Sequence, residues 1–270
     1  MCLGYSGSAE GSYIMIKSLI SAFLMYSRIP MPQIEWKEEN RRYALGFFPL
    51  VGAVIGGVLI LWRCLCDILG FGQFLFSAVG VLIPILITGG IHADGFCDIT
   101  DARASYADRQ KRLEIMSDPH IGSFAVIRIC LYFLLQTALM SQIQTIRQTI
   151  LIGCGFVISR SLSALSAVTF RCAKKDSSLQ NFVKPSHRTV TICMVSISAI
   201  ISYFGMLLCS YPAGITAAAA SVFVFLYYRY IAYRDFGGIT GDLCGWFLQL
   251  CEIWMLAAAV FSFRIMEVLA

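Results

Sequence analysis

Three aspartates stand close together in Gly89-Gly-Ile-His-Ala-Asp-Gly-Phe-Cys-Asp-Ile-Thr-Asp101: Asp94, Asp98 and Asp101. Their spacing is i, i+4, i+7, which puts all three on one face of a helix. Three like charges on one face repel each other, so the arrangement is costly without a cation. Carboxylate oxygens are hard ligands suited to Mg²⁺, with Mn²⁺ the second candidate. Mg²⁺ is commonly shared between carboxylates and substrate phosphates. Asp94, Asp98 and Asp101 are therefore the expected metal ligands, and Gly89, Gly90 and Gly95 the expected substrate-binding glycines beside them. His92 can serve as base, ligand or hydrogen-bond donor, and a lone histidine does not discriminate. The plain alternative is a solvated loop with acids by chance. The Gly-Gly pair, His92 and the apolar block just before them weigh against it.

The next run, Asp108-Arg-Gln-Lys-Arg-Leu-Glu-Ile-Met-Ser-Asp-Pro-His-Ile-Gly122, carries Arg109, Lys111, Arg112 and Asp118. Cations beside a metal site hold phosphate oxygens or offset developing charge. Charge alone does not choose among the three; Arg112 as the catalytic cation and Asp118 as a substrate-binding residue are what the family resemblance described below implies. Arg160 lies inside an apolar block, where an arginine costs about 3 kcal/mol on insertion scales, so it should face a polar cavity or snorkel to the edge. Arg128 is nearer the end of its block and is expected to snorkel. Late in the chain, Gly237-Gly-Ile-Thr-Gly-Asp-Leu-Cys-Gly245 opens a series in which Asp242, Gly245, Gln249 and Glu252 recur at 0, 3, 7 and 10, again one helix face. Acids facing lipid are expensive, so this face should point inward. Thr240, Asp242 and Glu252 are the substrate-binding candidates here, and a structural polar network is the alternative. The chain has no P-loop, H-E-x-x-H or G-x-S-x-G.

The elements that position these residues follow from composition. The chain has 270 residues, 58% of them hydrophobic and 14% charged, with a mean hydropathy of +0.73. A soluble domain is nearer a quarter charged. This balance excludes a soluble globular enzyme, a disordered chain and a nucleic-acid-binding domain. Seven blocks reach the roughly 20 apolar residues that span a bilayer: 44–66, 73–91, 124–142, 148–168, 189–210, 212–233 and 241–262. The expected fold is all-α, a polytopic helix bundle with about seven transmembrane helices forming a single domain over 15–270. Gly52-x-x-x-Gly56 in the first span permits close helix packing. Met15–Ser27 is apolar but too short to span and reads as an interfacial helix, ended by Arg28-Ile-Pro-Met-Pro32. Residues 1–14 read as a non-essential leader. Met1–Ser12 carries no Lys or Arg and so lacks the start of a secretory signal.

The net charge of +5 has a simple source. If all seven spans cross, 16 of the 21 Lys and Arg lie on one side, in the segment up to residue 43 and in 92–123, 169–188 and 229–240. Only Arg63, Arg147 and Arg264 lie on the other. The positive-inside rule then places the N-terminus and the long loops in the cytoplasm, and makes this a multi-pass protein of the inner or plasma membrane with its site facing the cytoplasm. The 11 cysteines show no C-x-x-C or zinc spacing, and most fall in apolar blocks, where they read as small buried hydrophobes.

On these motifs the chain resembles the cobalamin-5′-phosphate synthase family, also called adenosylcobinamide-GDP ribazoletransferases. The family's G-G-x-H-x-D-G-x-x-D-x-x-D stretch is matched by Gly89 to Asp101. Its R-x-L-x-I-M-x-D-x-x-I-G-x-F pattern is matched in register from Leu113 to Phe124, with Arg112 one position nearer the leucine than the pattern's arginine. F-P-x-V-G is Phe48–Gly52, and G-G-x-T-G-D-x-x-G is Gly237–Gly245. The matches run in family order from about 20 to 255. Trp246, Gln249 and Ala125 depart from the pattern, where a small residue, an acid and a glycine are usual. The resemblance implies that α-ribazole, or its 5′-phosphate, attacks adenosylcobinamide-GDP and releases GMP, closing the nucleotide loop of cobalamin. Displacement at a phosphoanhydride needs a divalent cation and positioning, with little covalent chemistry from the protein. Asp94, Asp98 and Asp101 would hold Mg²⁺, Arg112 and Arg160 would stabilise phosphate charge, and His92 or an acid such as Asp94 would accept the ribose proton. The partners expected are the two small-molecule substrates and the lipid bilayer, with no nucleic acid and with room for a homo-oligomer. Two other classes stay open on the residues alone. One is a CDP-alcohol phosphotransferase- or prenyltransferase-like enzyme, though Asp98 stands where the former has Ala. The other is a cation-coupled transporter, which binds near the midplane rather than at span ends.

Overall fold

A computed structural model describes residues 6–174 and 178–269, with side-chain surroundings from Tyr13 onward. Lys175 of the charge count and the first five residues of the expected leader lie outside the described residues. Within them the chain is helical, in the order α1 (Ser6–Tyr26), α2 (Glu38–Arg41), α3 (Ala44–Leu69), α4 (Gln73–Thr88), α5 (Ile91–Ala104) and α6 (Arg109–Ile115). There follow α7 (Ser123–Met140), α8 (Ile146–Thr169), α9 (Ser178–Val183), α10 (Arg188–Cys209), α11 (Tyr211–Ile231), a π-helical turn (Ala232–Phe236) and α12 (Gly241–Leu269). Helix α1 begins at Ser6, inside the stretch read as a leader, and ends just before Arg28-Ile-Pro.

The seven apolar blocks appear as α3, α4, α7, α8, α10, α11 and α12. Six of them are long and apolar enough to cross a membrane. The block 73–91 differs. Helix α4 has 16 residues, about 24 Å at 1.5 Å per residue, and meets α5 at 94°. The cause is local. Gly89 and Gly90 both take left-handed backbone, with φ of +68° and +80°, a conformation that side chains disfavour. One glycine closes α4 as its C-cap and the next opens α5 as its N-cap.

Helix α8 is the most deeply buried of the long helices, and its small residues explain why. Gly153, Gly155, Ser159, Ser163, Ala164 and Ala167 let neighbours approach closely. Its largest contact is with α3. A Cβ on Gly52 would clash with the Phe156 carbonyl oxygen, and one on Gly56 would lie 2.8 Å from the Gly153 carbonyl oxygen. The Gly52-x-x-x-Gly56 pattern is thus the seam of the bundle. Gly57, one position on, has open space around it. Gly52→Ala is expected to destabilise the folded protein by about 1–3 kcal/mol through overpacking, whereas Gly57→Ala should be neutral or slightly stabilising. Thermal unfolding in detergent checks this, and equal midpoints for the two variants would contradict the packing described.

Away from the seam, large apolar side chains face outward, Leu61, Phe74, Leu134, Ile200, Phe204 and Phe223 among them. Cys64, Cys130 and Cys193 are also exposed, so three of the cysteines read as buried are outward-facing apolar groups instead. Among the described residues all ten cysteines are free.

The polar segments gather at one end of the bundle. The loop after α8 pairs with the loop before α12: Ala173 N–H donates to the Ile239 carbonyl (2.9 Å) and Ile239 N–H to the Arg171 carbonyl (2.9 Å). Lys174 Nζ donates to the Leu113 carbonyl within α6 (3.3 Å). His187 N–H donates to the Arg42 carbonyl, joining the start of α10 to the segment before α3. At the other end Arg63 pairs with Asp67 (2.6 Å) and Arg264 donates to Gln142 (2.6 Å).

Candidate active site

Helices α5 and α12 cross at the polar end, and glycines set the distance. A Cβ on Gly95 would lie 2.8 Å from the Asp242 carbonyl oxygen and 2.9 Å from its Cα. A Cβ on Gly245 would lie 3.2 Å from the His92 Cα. Residues about 150 positions apart in sequence therefore share one crossing. Asp98 stands within electrostatic reach of Asp94, Asp242 and Asp101, and Asp242 within reach of Asp94. The first motif and the late motif form one acidic site.

Each carboxylate is placed by its helix. Asp94 sits in the first turn of α5, where the helix dipole favours an anion, and is exposed. Asp98 and Asp242 are half-buried. Asp101 has a structural duty. Helix α7 begins after Gly122, which has no side chain to cap it. Asp101 reaches across and accepts from the backbone N–H of Gly122 (2.6 Å) and Ala125 (2.9 Å). It caps α7 from α5 and satisfies donors that would otherwise be orphaned. The rings of Phe96 and Tyr132, 5.2 Å apart, pin the same two helices together.

The cations stand in two groups. Arg28 packs its side chain against Gly89, so that a Cβ there would meet its Nε at 2.5 Å. Arg28, Gly89, Gly90 and Asp94 line an open cleft of about 580 Å³. The second group surrounds Asp235, buried in the π-helical turn. Its carboxylate pairs with Arg234 (2.6 Å), Arg112 (3.2 Å) and Arg103 (3.3 Å). Arg112 thus keeps its place through Asp235, and its Nε is buried without a partner. π-Helical turns occur often at functional sites. Arg109 Nη2 donates to the Tyr233 carbonyl (3.5 Å) and Arg171 Nη2 to the Gly237 carbonyl (3.0 Å), holding the Gly-Gly loop.

Arg160 is 1% exposed and forms an ion pair with Glu252. It also donates to Ser159 Oγ (3.0 Å) and the Phe156 carbonyl (3.1 Å). The face Asp242–Gly245–Glu252 does point inward, and Arg160 borders a small internal cavity shared with His92, Gln136 and Gln249. It does not line the open cleft. His92 is buried, its ring 6.0 Å from that of Phe48. Thr240 starts α12: its Oγ1 accepts from Leu243 N–H (3.1 Å). Asp118 is turned to solvent in its own tight turn. The backbone N–H of His120 (2.9 Å) and its ring (2.7 Å) hold the Asp118 carboxyl below its ordinary range.

Arg28 and Asp235 are the residues that sequence spacing does not single out. Each carried a weak signal. Arg28 precedes the Ile-Pro-Met-Pro break next to an apolar helix, and Asp235 is a lone acid in a basic segment directly before Gly237-Gly238.

Among the described residues, no three His, Cys, Asp or Glu side chains converge closely enough to hold a metal ion by themselves. The carboxylates on α5 and α12 are hard oxygen donors of the type Mg²⁺ takes one or two at a time, keeping several waters and completing its shell with substrate phosphates.

The chain matches the family model described as cobalamin-5-phosphate synthase over residues 18–260. It is 45% identical over 248 residues to an adenosylcobinamide-GDP ribazoletransferase from Lachnoclostridium phytofermentans, covering 92% of this chain and 94% of that protein. It is 29% and 28% identical to proteins of the same name from two Clostridium botulinum strains, Alaska E43 and Eklund 17B, covering 88% and 92% of this chain and 95% and 99% of theirs. No solved structure matches the chain. With the matched span running from α1 into α12 and enclosing both halves of the acidic site, the chain belongs to the cobalamin-5-phosphate synthase family.

Proposed function

We infer that this protein is an adenosylcobinamide-GDP ribazoletransferase of the membrane. A ribose hydroxyl of α-ribazole, or of its 5′-phosphate, forms an ester bond to the cobinamide-bearing phosphorus. The phosphoanhydride bond breaks, GMP leaves, and the hydroxyl proton passes to a base. The observation that carries this reading is the meeting of Asp94 and Asp98 with Asp242 at the polar end of the bundle. The family match over 18–260 favours it over a CDP-alcohol phosphotransferase, a prenyltransferase or a cation-coupled transporter.

Mg²⁺, when bound, would neutralise diphosphate charge and orient the leaving group. Asp94 and Asp98 would hold it, with Asp242 closing the set from α12. Asp101 fixes α7 against α5 and keeps the two acids in register. Arg28, at the edge of the open cleft, is placed to hold a phosphate oxygen. Arg112, fixed by Asp235, faces the same end of the bundle and supplies positive charge there. Arg160 and Glu252 hold α8 to α12 beneath His92. His92 and the free carboxylates are the groups available to take the hydroxyl proton.

The site faces the cytoplasm in this reading, as the charge asymmetry favours. From Ala44 the spans alternate and α12 runs from the polar end to the far end. A reporter active only in the cytoplasm and fused after Ala270 is expected to be silent. Strong activity there would invert the orientation.

The activity itself is tested by incubating the purified protein with adenosylcobinamide-GDP and α-ribazole. GMP and a cobalamin product are expected in equal amounts, both requiring the ribazole. GMP release without ribazole, or none with it, would overturn the assignment.

A further inference from the structure

The first turn of α5 separates two spaces of different chemistry. On one side is the open cleft of about 580 Å³ with Arg28 and Asp94. On the other is a smaller cavity of about 230 Å³ whose surface is mainly apolar. Aromatic rings wall it on α1, α3 and α9. Tyr26 and Phe48 have centroids 4.1 Å apart, and Phe182 stands edge-on to Tyr26 at 5.8 Å. Helix α8 contributes only small residues, Ser163, Ala164 and Ala167. His92 and Asp242 are its polar groups on the α5–α12 side.

We propose that this smaller cavity seats the base of the acceptor nucleoside, a flat, weakly polar fused-ring heterocycle, among Tyr26, Phe48 and Phe182, with its ribose toward Asp242. The proposal rests on the ribazoletransferase reading. Size is the first argument: the cavity suits a two-ring base and cannot take a corrin macrocycle, which needs the open cleft. Polarity is the second. A guanine base carries several donors and acceptors, most of which this mainly apolar lining would leave unpaired, whereas a benzimidazole-type ring has little to satisfy and gains from aromatic contact. Position is the third. An acyl chain has no use for a wall carrying Asp242 and His92. A nucleoside does, because its ribose hydroxyls must reach the carboxylates shared with the cleft. Small residues on α8 and aromatic side chains on α1, α3 and α9 shape the space as a slot for a planar group.

Ala164→Leu adds volume to the α8 wall without touching the acidic site. Its KM for α-ribazole is expected to rise about tenfold or more, the usual scale for a misfit in an apolar pocket. Its KM for adenosylcobinamide-GDP should stay within about twofold. In the unaltered protein, free benzimidazole should inhibit competitively against α-ribazole and not against adenosylcobinamide-GDP, so the test survives if the variant folds poorly. An unchanged KM for α-ribazole in a folded Ala164→Leu protein would overturn the assignment of the cavity. So would benzimidazole competing with adenosylcobinamide-GDP, or relief of inhibition by added lipid alone. Absence of any ribazole-dependent GMP release from the unaltered protein is a different result, because it would overturn the activity itself.

Discussion

Asp94→Asn and Asp98→Asn are each expected to lower GMP release by about a thousandfold or more, since charge stabilisation at a transferring phosphoryl group is worth several kcal/mol. The protein should still insert and keep its thermal midpoint, because Asp94 is exposed and Asp98 only half-buried. Neutralising either acid also relieves repulsion among Asp94, Asp98 and Asp242. Chelation of divalent cations should silence the unaltered enzyme, and Mg²⁺ or Mn²⁺ should restore it. Asp101→Asn is expected to behave differently. It removes one acceptor of the pair that caps α7, so lost activity should come with lost stability, about 0.5–2 kcal/mol on the scale of a helix cap. Rates and melting curves on the same preparations separate the two patterns. Near-normal turnover in both Asp94→Asn and Asp98→Asn would remove the cation site.

Glu252→Leu is expected to destabilise the fold by about 3–5 kcal/mol, because it leaves the Arg160 guanidinium buried without its counter-charge. Arg160→Met alone leaves the opposite charge stranded and should cost a similar amount. Replacing both at once should recover most of the loss, since an apolar pair of like volume is often as stable as a buried ion pair. The double variant then reports on chemistry. Arg160 does not line the open cleft, so its turnover per folded molecule should stay within about tenfold of the unaltered enzyme. A loss as large as that from Asp94→Asn would place Arg160 among the groups that stabilise phosphate charge. Additive destabilisation in the double variant would mean that the two residues do not pair.

Much of the bundle was legible because membrane spans are long and uniformly apolar. The limits of α3, α8 and α10 fall within about four residues of the apolar blocks. The helical face of Asp94, Asp98 and Asp101 was legible for the same reason, since periodicity is a local property. The right-angle turn at Gly89-Gly90 was not. Two glycines announce a break, but its angle depends on α5 packing against α12 and α7. The duty of Asp101 was invisible because its partners, Gly122 and Ala125, meet it only after folding. The same holds for Asp235, whose arginines come from α5, α6 and its own neighbour. Thr240 is a different case. A threonine directly before a helix is a recognised cap signal, but within a glycine-rich run it reads equally as a ligand-binding residue. Asp118 belongs to the stretch that carries the family resemblance, yet its turn directs it to solvent.

The central claim is that two segments about 140 residues apart build one catalytic site, and Asp242 tests it most directly. The measurement is the turnover rate per folded molecule of Asp242→Asn, taken across a Mg²⁺ titration beside Asp94→Asn. A shared site requires a severe loss of rate, with half-maximal activity moved to higher Mg²⁺ in both variants and with expression little changed. A normal rate at an unchanged Mg²⁺ requirement, with only thermal stability reduced, would confine the chemistry to the region of α5 and α6 and contradict the joint site.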